Sequence, residues 1–332
     1  MSHASTSAHT DPQSYQAEIR AAHVEVFPTT KGNFRAELTQ IDLPKLWLQR
    51  GRENLPRITR ALVSVERAPI FFLASANEPA IQHSGIVLGP GEIMVYRSGA
   101  EHHHQTSASC KWASMSLAPR DLISAGRTFV ARDLTAVLVT KKFRPPPAIM
   151  ARLLKLHATA VHRANIEPDI FEQPEVVRSL EHDLTHTMLR CLTESMPVKT
   201  GSGTHLAVMA KLEEFLAEHC DRPVYLSEIC SATHTSERTL RVYCQEHLGM
   251  GPIRYLWLRR IYLARRALIQ AVPGTVTVTA VATEFGFWEL GRFSTEYRAL
   301  FGETPFVTLR RPPEDRYLRK DRSLALRPTE FA

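Results

Sequence analysis

Two stretches near the C-terminal end, LSEICSATHTSERTLRVYCQEHLG from Leu226 and AVATEFGFWELGRFSTEYRALFG from Ala280, repeat one plan: a short helix, a tight turn, and a second helix with arginine on its outer side. A single arginine on a helix is usually just solvated. The repetition at matched spacing points instead to two helix-turn-helix units, in which the second helix enters the DNA major groove.

In the first unit the short helix runs from Leu226 to about Ala232 and turns through Thr233, His234 and Thr235. Ser236 can cap the next helix, with Glu237 in its first turn, where the helix dipole favours an acid. Leu240, Tyr243 and Cys244 recur at helical spacing and should pack, leaving Ser236, Arg238, Thr239, Arg241 and Val242 as candidate DNA contacts. In the second unit Gly286 sits where the turn calls for positive φ. Phe293, Tyr297 and Leu300 should face inward there, and Leu290, Gly291, Arg292 and Thr295 outward as candidate contacts. Between the units IRYLWLRRIYLARRALIQ, opened by Pro252 and stopped by Pro273-Gly274, predicts a rod about 27 Å long, near the repeat of one DNA turn. Arg254, Arg259, Arg260, Arg265 and Arg266 lie on it without an intervening acid, and some of them can serve phosphates.

These residues resemble the AraC/XylS family of transcription regulators over roughly Leu206 to Arg311. The second unit carries Ala282, Gly286-Phe287, Phe293, Tyr297 and Phe301-Gly302-Glu303-Thr304-Pro305 in the family's order. The upstream half matches through Leu226, Ile229, Ser236, Leu240, Gly249, Pro252, Tyr255-Leu256, Arg260, Ala264 and Leu268. The chain departs from the family at Cys230, at His234 in place of the usual turn glycine, and at Thr295 in place of a frequent arginine. That last difference shifts the expected base readout toward Arg238 and Arg241.

At 332 residues the chain can hold two separate cores. A net charge of +7 and a pI near 9.3 suit a polyanionic partner. The polar start has no signal-peptide core and no apolar run reaches the ~20 residues of a membrane span, so cytoplasmic residence is expected. Five cysteines without paired spacing predict reduced thiols.

From about Val24 to Leu117 short β-rich runs alternate with Pro and Gly, and LGPGEIMVYRSGAEHHHQTSA resembles the second half of a cupin-type barrel. His102 and His104 should share the interior, because neighbours on a strand point opposite ways. Polar histidines at the barrel mouth are favoured over ligand or metal contacts, since no His-x-His with a following acid precedes them. Trp47, Phe71, Tyr96, His102, His104 and Trp112 are candidate ligand contacts, against the plainer reading of aromatics as core. Two helices follow, striped by Ile149, Leu153, Leu156 and Ala160 and by Val177, Leu180, Leu184 and Met188, which either dimerise or cover the barrel.

The expected fold is therefore α+β multidomain, with a cupin-like β-barrel and helices ahead of an all-α domain of two helix-turn-helix units. The boundaries read as a disordered tail over 1–17, a sensor or dimerisation domain over 18–195, a flexible linker over 196–204, the DNA-binding domain over 205–311 and a tail over 312–332. No catalytic set, cofactor or metal site is read. The resemblance implies promoter DNA, a small-molecule effector, RNA polymerase and a second copy of the chain as partners, with activation the family's usual mode. The alternative is a metal-dependent cupin enzyme with an appended DNA-binding domain, using His102 and His104.

Overall fold

The computed structural model describes residues 2–197, 203–219, 222–272 and 274–311. Pro273, most of the expected 196–204 linker and the 312–332 tail lie outside the described residues.

The N-terminal part is built from strands β1 His3–His9, β2 Ala22–Pro28, β3 Ala36–Asp42, β4 Trp47–Glu53, β5 Arg57–Val63, β6 Ala68–Leu73, β7 Ile81–His83, β8 Ile86–Leu88, β9 Ile93–Val95, β10 Glu101–Thr106, β11 Cys110–Leu117, β12 Lys141–Arg144 and β13 Met196–Pro197. They form two antiparallel sheets, ordered β1-β3-β4-β11-β6-β9-β12-β13 and β2-β5-β10-β7-β8. A short helix, α1 Pro12–Glu18, follows β1, and α2 Pro119–Val130, α3 Pro147–Ile166 and α4 Pro174–Thr193 follow the barrel strands.

Alternation along the strands sorts side chains into layers. Ile41, Leu48, Phe72, Ala113 and Met115 of the large sheet pack against Leu122, Leu153, Leu184 and Met188 of α2 to α4. The opposite faces of the two sheets enclose a second core, with Val24, Val26, Leu38, Ala61, Phe71, Tyr96 and Trp112. Helices α3 and α4 thus turn their predicted stripes to the sheet, with Leu156 and Leu180 half-buried.

Residues 3–17, expected to be part of a tail over 1–17, instead hold β1 and nearly all of α1. All seven residues of β1 pair with β3, and Asp11 caps α1 by accepting from Ser14 N at 3.1 Å. Tyr15 of α1 is wholly buried, and its hydroxyl donates to Glu53 at 2.6 Å. Small polar residues on an edge strand leave little hydrophobic signal, so only the pairing partner reveals them.

The C-terminal part comprises α5 Gly203–Glu218, α6 Leu226–Thr233, α7 Glu237–Leu248, α8 Pro252–Gln270, α9 Val278–Glu284, α10 Leu290–Phe301 and α11 Pro305–Leu309. Its core joins Ile229, Leu240, Cys244, Tyr255, Ile261, Val281, Phe293 and Tyr297. Phe27 of β2 and Ile58 of β5 belong to that same cluster, so the small sheet packs on these helices. Among the described residues no helix is long and apolar enough to cross a membrane.

Candidate nucleic-acid interface

Both helix-turn-helix units fold as their sequences dictate. His234 ends α6 in the left-handed conformation at φ 52°, a role usually given to glycine, and Gly286 takes φ 74° in the second turn. Ser236 caps α7 by accepting from Thr239 N at 3.2 Å. Leu240 and Cys244 of α7 are buried, as are Phe293, Tyr297 and Leu300 of α10.

The outward residues are largely open to solvent, and two of them meet at one groove. Ser236, Arg238, Arg241, Val242, Leu290, Gly291, Arg292 and Thr295 are exposed and Thr239 is half-buried. Arg241 of α7 and Arg292 of α10 line one groove of about 510 Å³, floored by Pro252, Ile253, Arg254, Trp257 and Arg260 from the start of α8. Arg254 lies 4.3 Å over the Trp257 ring, whose Nε1 donates to Glu296 at 3.0 Å. Arg292 pairs with the same Glu296 at 3.0 Å, and Arg241 with Glu237 one turn back. Such exposed pairs hold the side chains loosely and can open for a stronger acceptor. The Thr295 hydroxyl instead donates to Gly291 O at 2.9 Å, which ties it to its own helix.

The rod arginines divide by burial. Arg254, exposed, and Arg260, half-buried, line the groove, while Arg259 and Arg265 are buried and take no part in it. Arg259 pairs with Glu213 of α5, and Arg265 with Asp11 from the N-terminal segment and, at 3.4 Å, with Glu303. These two arginines are committed to acids distant in sequence and cannot meet phosphate. Sequence reasoning also missed Trp288, 72% exposed in the turn before α10, and Ile253 at the groove; their exposure is the only signal of them.

In the barrel, Phe71, Tyr96, His102, His104 and Trp112 line a cavity of about 70 Å³ together with Val24, Val26, Ala61 and Val63. Trp47 does not join them: it lies outside this cavity, stacked under Arg67 at 4.0 Å. The histidines are buried in β10 rather than at a polar mouth. Tyr96 stacks on His102 at 4.1 Å, and its hydroxyl is 2.8 Å from His104 Nε2. His102 Nδ1 is buried without a partner. Burial drives His102 and His104 well below the usual imidazole range, and takes His83 down to about 3, helped by His103 and His247. The cavity's cations are already matched, since Arg57 pairs with Glu53 and Arg20 with Asp42.

Among the described residues, three possible metal-ligand atoms come within 4.8 Å of one another at Glu101, His103 and Glu213, outside the barrel. Arg60 and Arg259 already engage those carboxylates. His102 and His104 are not members of that cluster.

Residues 229–311 match the model of a helix-turn-helix domain family. The segment is a helix-turn-helix domain of the AraC/XylS type. Over 99 residues the chain is 31% identical to XylDLEGF operon transcriptional activator 2 of Pseudomonas putida, covering 30% of this chain and 63% of that protein. It is 35% identical over 100 residues to a protein named "Probable thc operon regulatory protein" in Rhodococcus erythropolis, 30% of either chain. The chain thus spans less than two thirds of these relatives, and only in the AraC/XylS-type domain. The crystal structure of the AraC-like transcriptional activator CuxR aligns over 80% of this chain and 96% of its own, with a TM-score of 0.39 and 14% identity.

Proposed function

We propose that this protein is a transcription regulator, and an activator, that reads promoter DNA with both helix-turn-helix units. One observation carries the reading: Arg241 and Arg292, from the two second helices, face a single groove whose floor adds Arg254 and Arg260. Arg238 and Arg241 suit bidentate contacts to guanine, Arg292 contributes from α10, and Arg254 suits phosphate. The activator relatives of the helix-turn-helix segment support the sign of regulation. RNA polymerase and a second copy of the chain are the protein partners this reading carries, with the cytoplasm as the place of action.

Control comes from the barrel. Its cavity, with apolar walls, balanced ion pairs and one unpartnered imidazole nitrogen, suits a small uncharged molecule. Its size is well below the roughly 300–1,000 Å³ of drug-sized sites. Occupancy would act by shifting the population of domain arrangements.

Selection from random duplexes with the full chain at two salt concentrations tests the reading. Two enriched blocks about one helical turn apart are expected. Steeply salt-dependent binding that enriches nothing would reduce the groove to a phosphate-binding surface and sink the proposal.

A further inference from the structure

The small sheet has two occupied faces. On β10, His102 and His104 line the cavity, while His103 and Gln105 point the other way. His103 Nε2 lies 3.1 Å from Glu213 Oε1 of α5. Gln105 packs on Gly249, which closes α7 at φ 66°; a Cβ there would fall 2.2 Å from the glutamine amide. Strand β5 repeats the division, with Ala61 toward the cavity, Ile58 in the core of the C-terminal helices, and Arg60 3.2 Å from Glu213. One sheet thus separates the barrel cavity from the end of the first reading helix.

Glu213 is the meeting point. It has no exposure, accepts from the Tyr255 hydroxyl at 2.7 Å, and pairs with Arg259 of α8. Both sides of the contact also own a second partner. If the sheet and the helices part, Arg60 keeps Glu25, at 3.1 Å, and Glu101, while Glu213 keeps Arg259 and Tyr255. Neither arrangement strands a buried charge, which is what an interface needs in order to have two states.

We propose that the small sheet couples the barrel to the DNA reader: a change in what fills the cavity moves β10 and β5, and His103 and Arg60 pass it through Glu213 of α5 to α7 and α8. The proposal rests on the regulator reading above and names its route. His103 and Glu213 are positioning residues that touch neither DNA nor ligand. Tight packing transmits the displacement, because an interior at crystal-like density has no slack to absorb it.

The test is a cycle in the full-length protein. Ala61→Leu fills the cavity from its wall, and Glu213→Gln removes the receiving charge while keeping the side chain's shape. Hydrogen exchange over 203–219 and 237–248 and affinity for the selected duplex are read in all four forms. Ala61→Leu alone should speed exchange in α7 and change DNA affinity about fivefold or more. In the Glu213→Gln background it should do neither. Equal changes in both backgrounds, or exchange altered only in the strands, overturn the proposal. If Ala61→Leu does not fold by circular dichroism, Thr59→Val changes the same wall without added bulk and enters the same cycle. If the parent protein enriches no duplex, the regulator reading fails, and the exchange measurements still decide the coupling.

Discussion

At the scale of single residues, readout and affinity separate by where each arginine is held. Arg238→Ala and Arg241→Ala should each cost about 1–3 kcal/mol of discrimination between the selected duplex and a scrambled one. Neither should disturb folding, because Arg241 gives up only the exposed pair with Glu237. Arg254→Ala should instead weaken all duplexes alike and lower the salt slope by about one. Fluorescence anisotropy at several salt concentrations distinguishes the two patterns. A loss of discrimination at Arg254 equal to that at Arg238 would reverse the assignment. Sequence alone located the caps and turns, down to Ser236 and His234, since those depend on neighbours a few residues away. It could not sort Arg254 and Arg260 from Arg259 and Arg265, because Glu213 and Asp11 meet them only after folding.

At the scale of elements, the barrel buries imidazoles that must stay neutral. Burial takes His157 down to about 4, with Arg50 adding to the shift, and His83 to about 3. A histidine whose folded value lies below its unfolded value of about 6.5 stabilises the fold fully above that pH. As pH falls from there toward 4, the unfolded chain takes up protons that the folded one refuses, and stability is lost. Each such histidine contributes about 1.4 kcal/mol per pH unit within the window. The melting temperature should therefore drop between pH 7 and pH 5, and His157→Leu, beside Phe72, should flatten part of the slope. An unchanged melting temperature across that range would refute the claim. The histidine triplet was legible, and so was its alternation about the strand. Its burial was not, because His102 and His104 are enclosed by strands that come together only in the folded barrel, and His103 by α5, a hundred residues later in the chain.

At the scale of the whole molecule, N-terminal and C-terminal parts share buried charge as well as apolar surface. Arg265 of α8 is almost fully buried between Asp11, from the segment before α1, and Glu303, after α10. Glu213 gathers Arg60 and His103 from the barrel and pairs with Arg259 of the same rod. Phe27 meets Tyr262 edge-on at 5.1 Å between these two anchors. Burial alone would raise the Glu213 carboxyl, but Arg259, His103 and Arg60 outweigh it and hold the group well below the usual carboxylate range. Its contribution is thus present above the unfolded carboxylate value of about 4.3 and is lost as pH falls below it. With both anchors in place the two parts should melt together in one calorimetric transition at neutral pH. Asp11→Ala leaves Arg265 with Glu303 alone, and Glu213→Gln removes the charge that Arg60 and Arg259 share. Breaking a buried pair costs about 3–5 kcal/mol when no partner remains, and less at Arg265, which retains Glu303, and at Arg60, which retains Glu25 and Glu101. The double variant should therefore still fold but unfold in two resolved steps, with the single variants between. A double variant that melts in one step at the parent temperature would show that apolar contact at Phe27 and Ile58 suffices to join the parts, leaving the ion pairs without a role in holding them together.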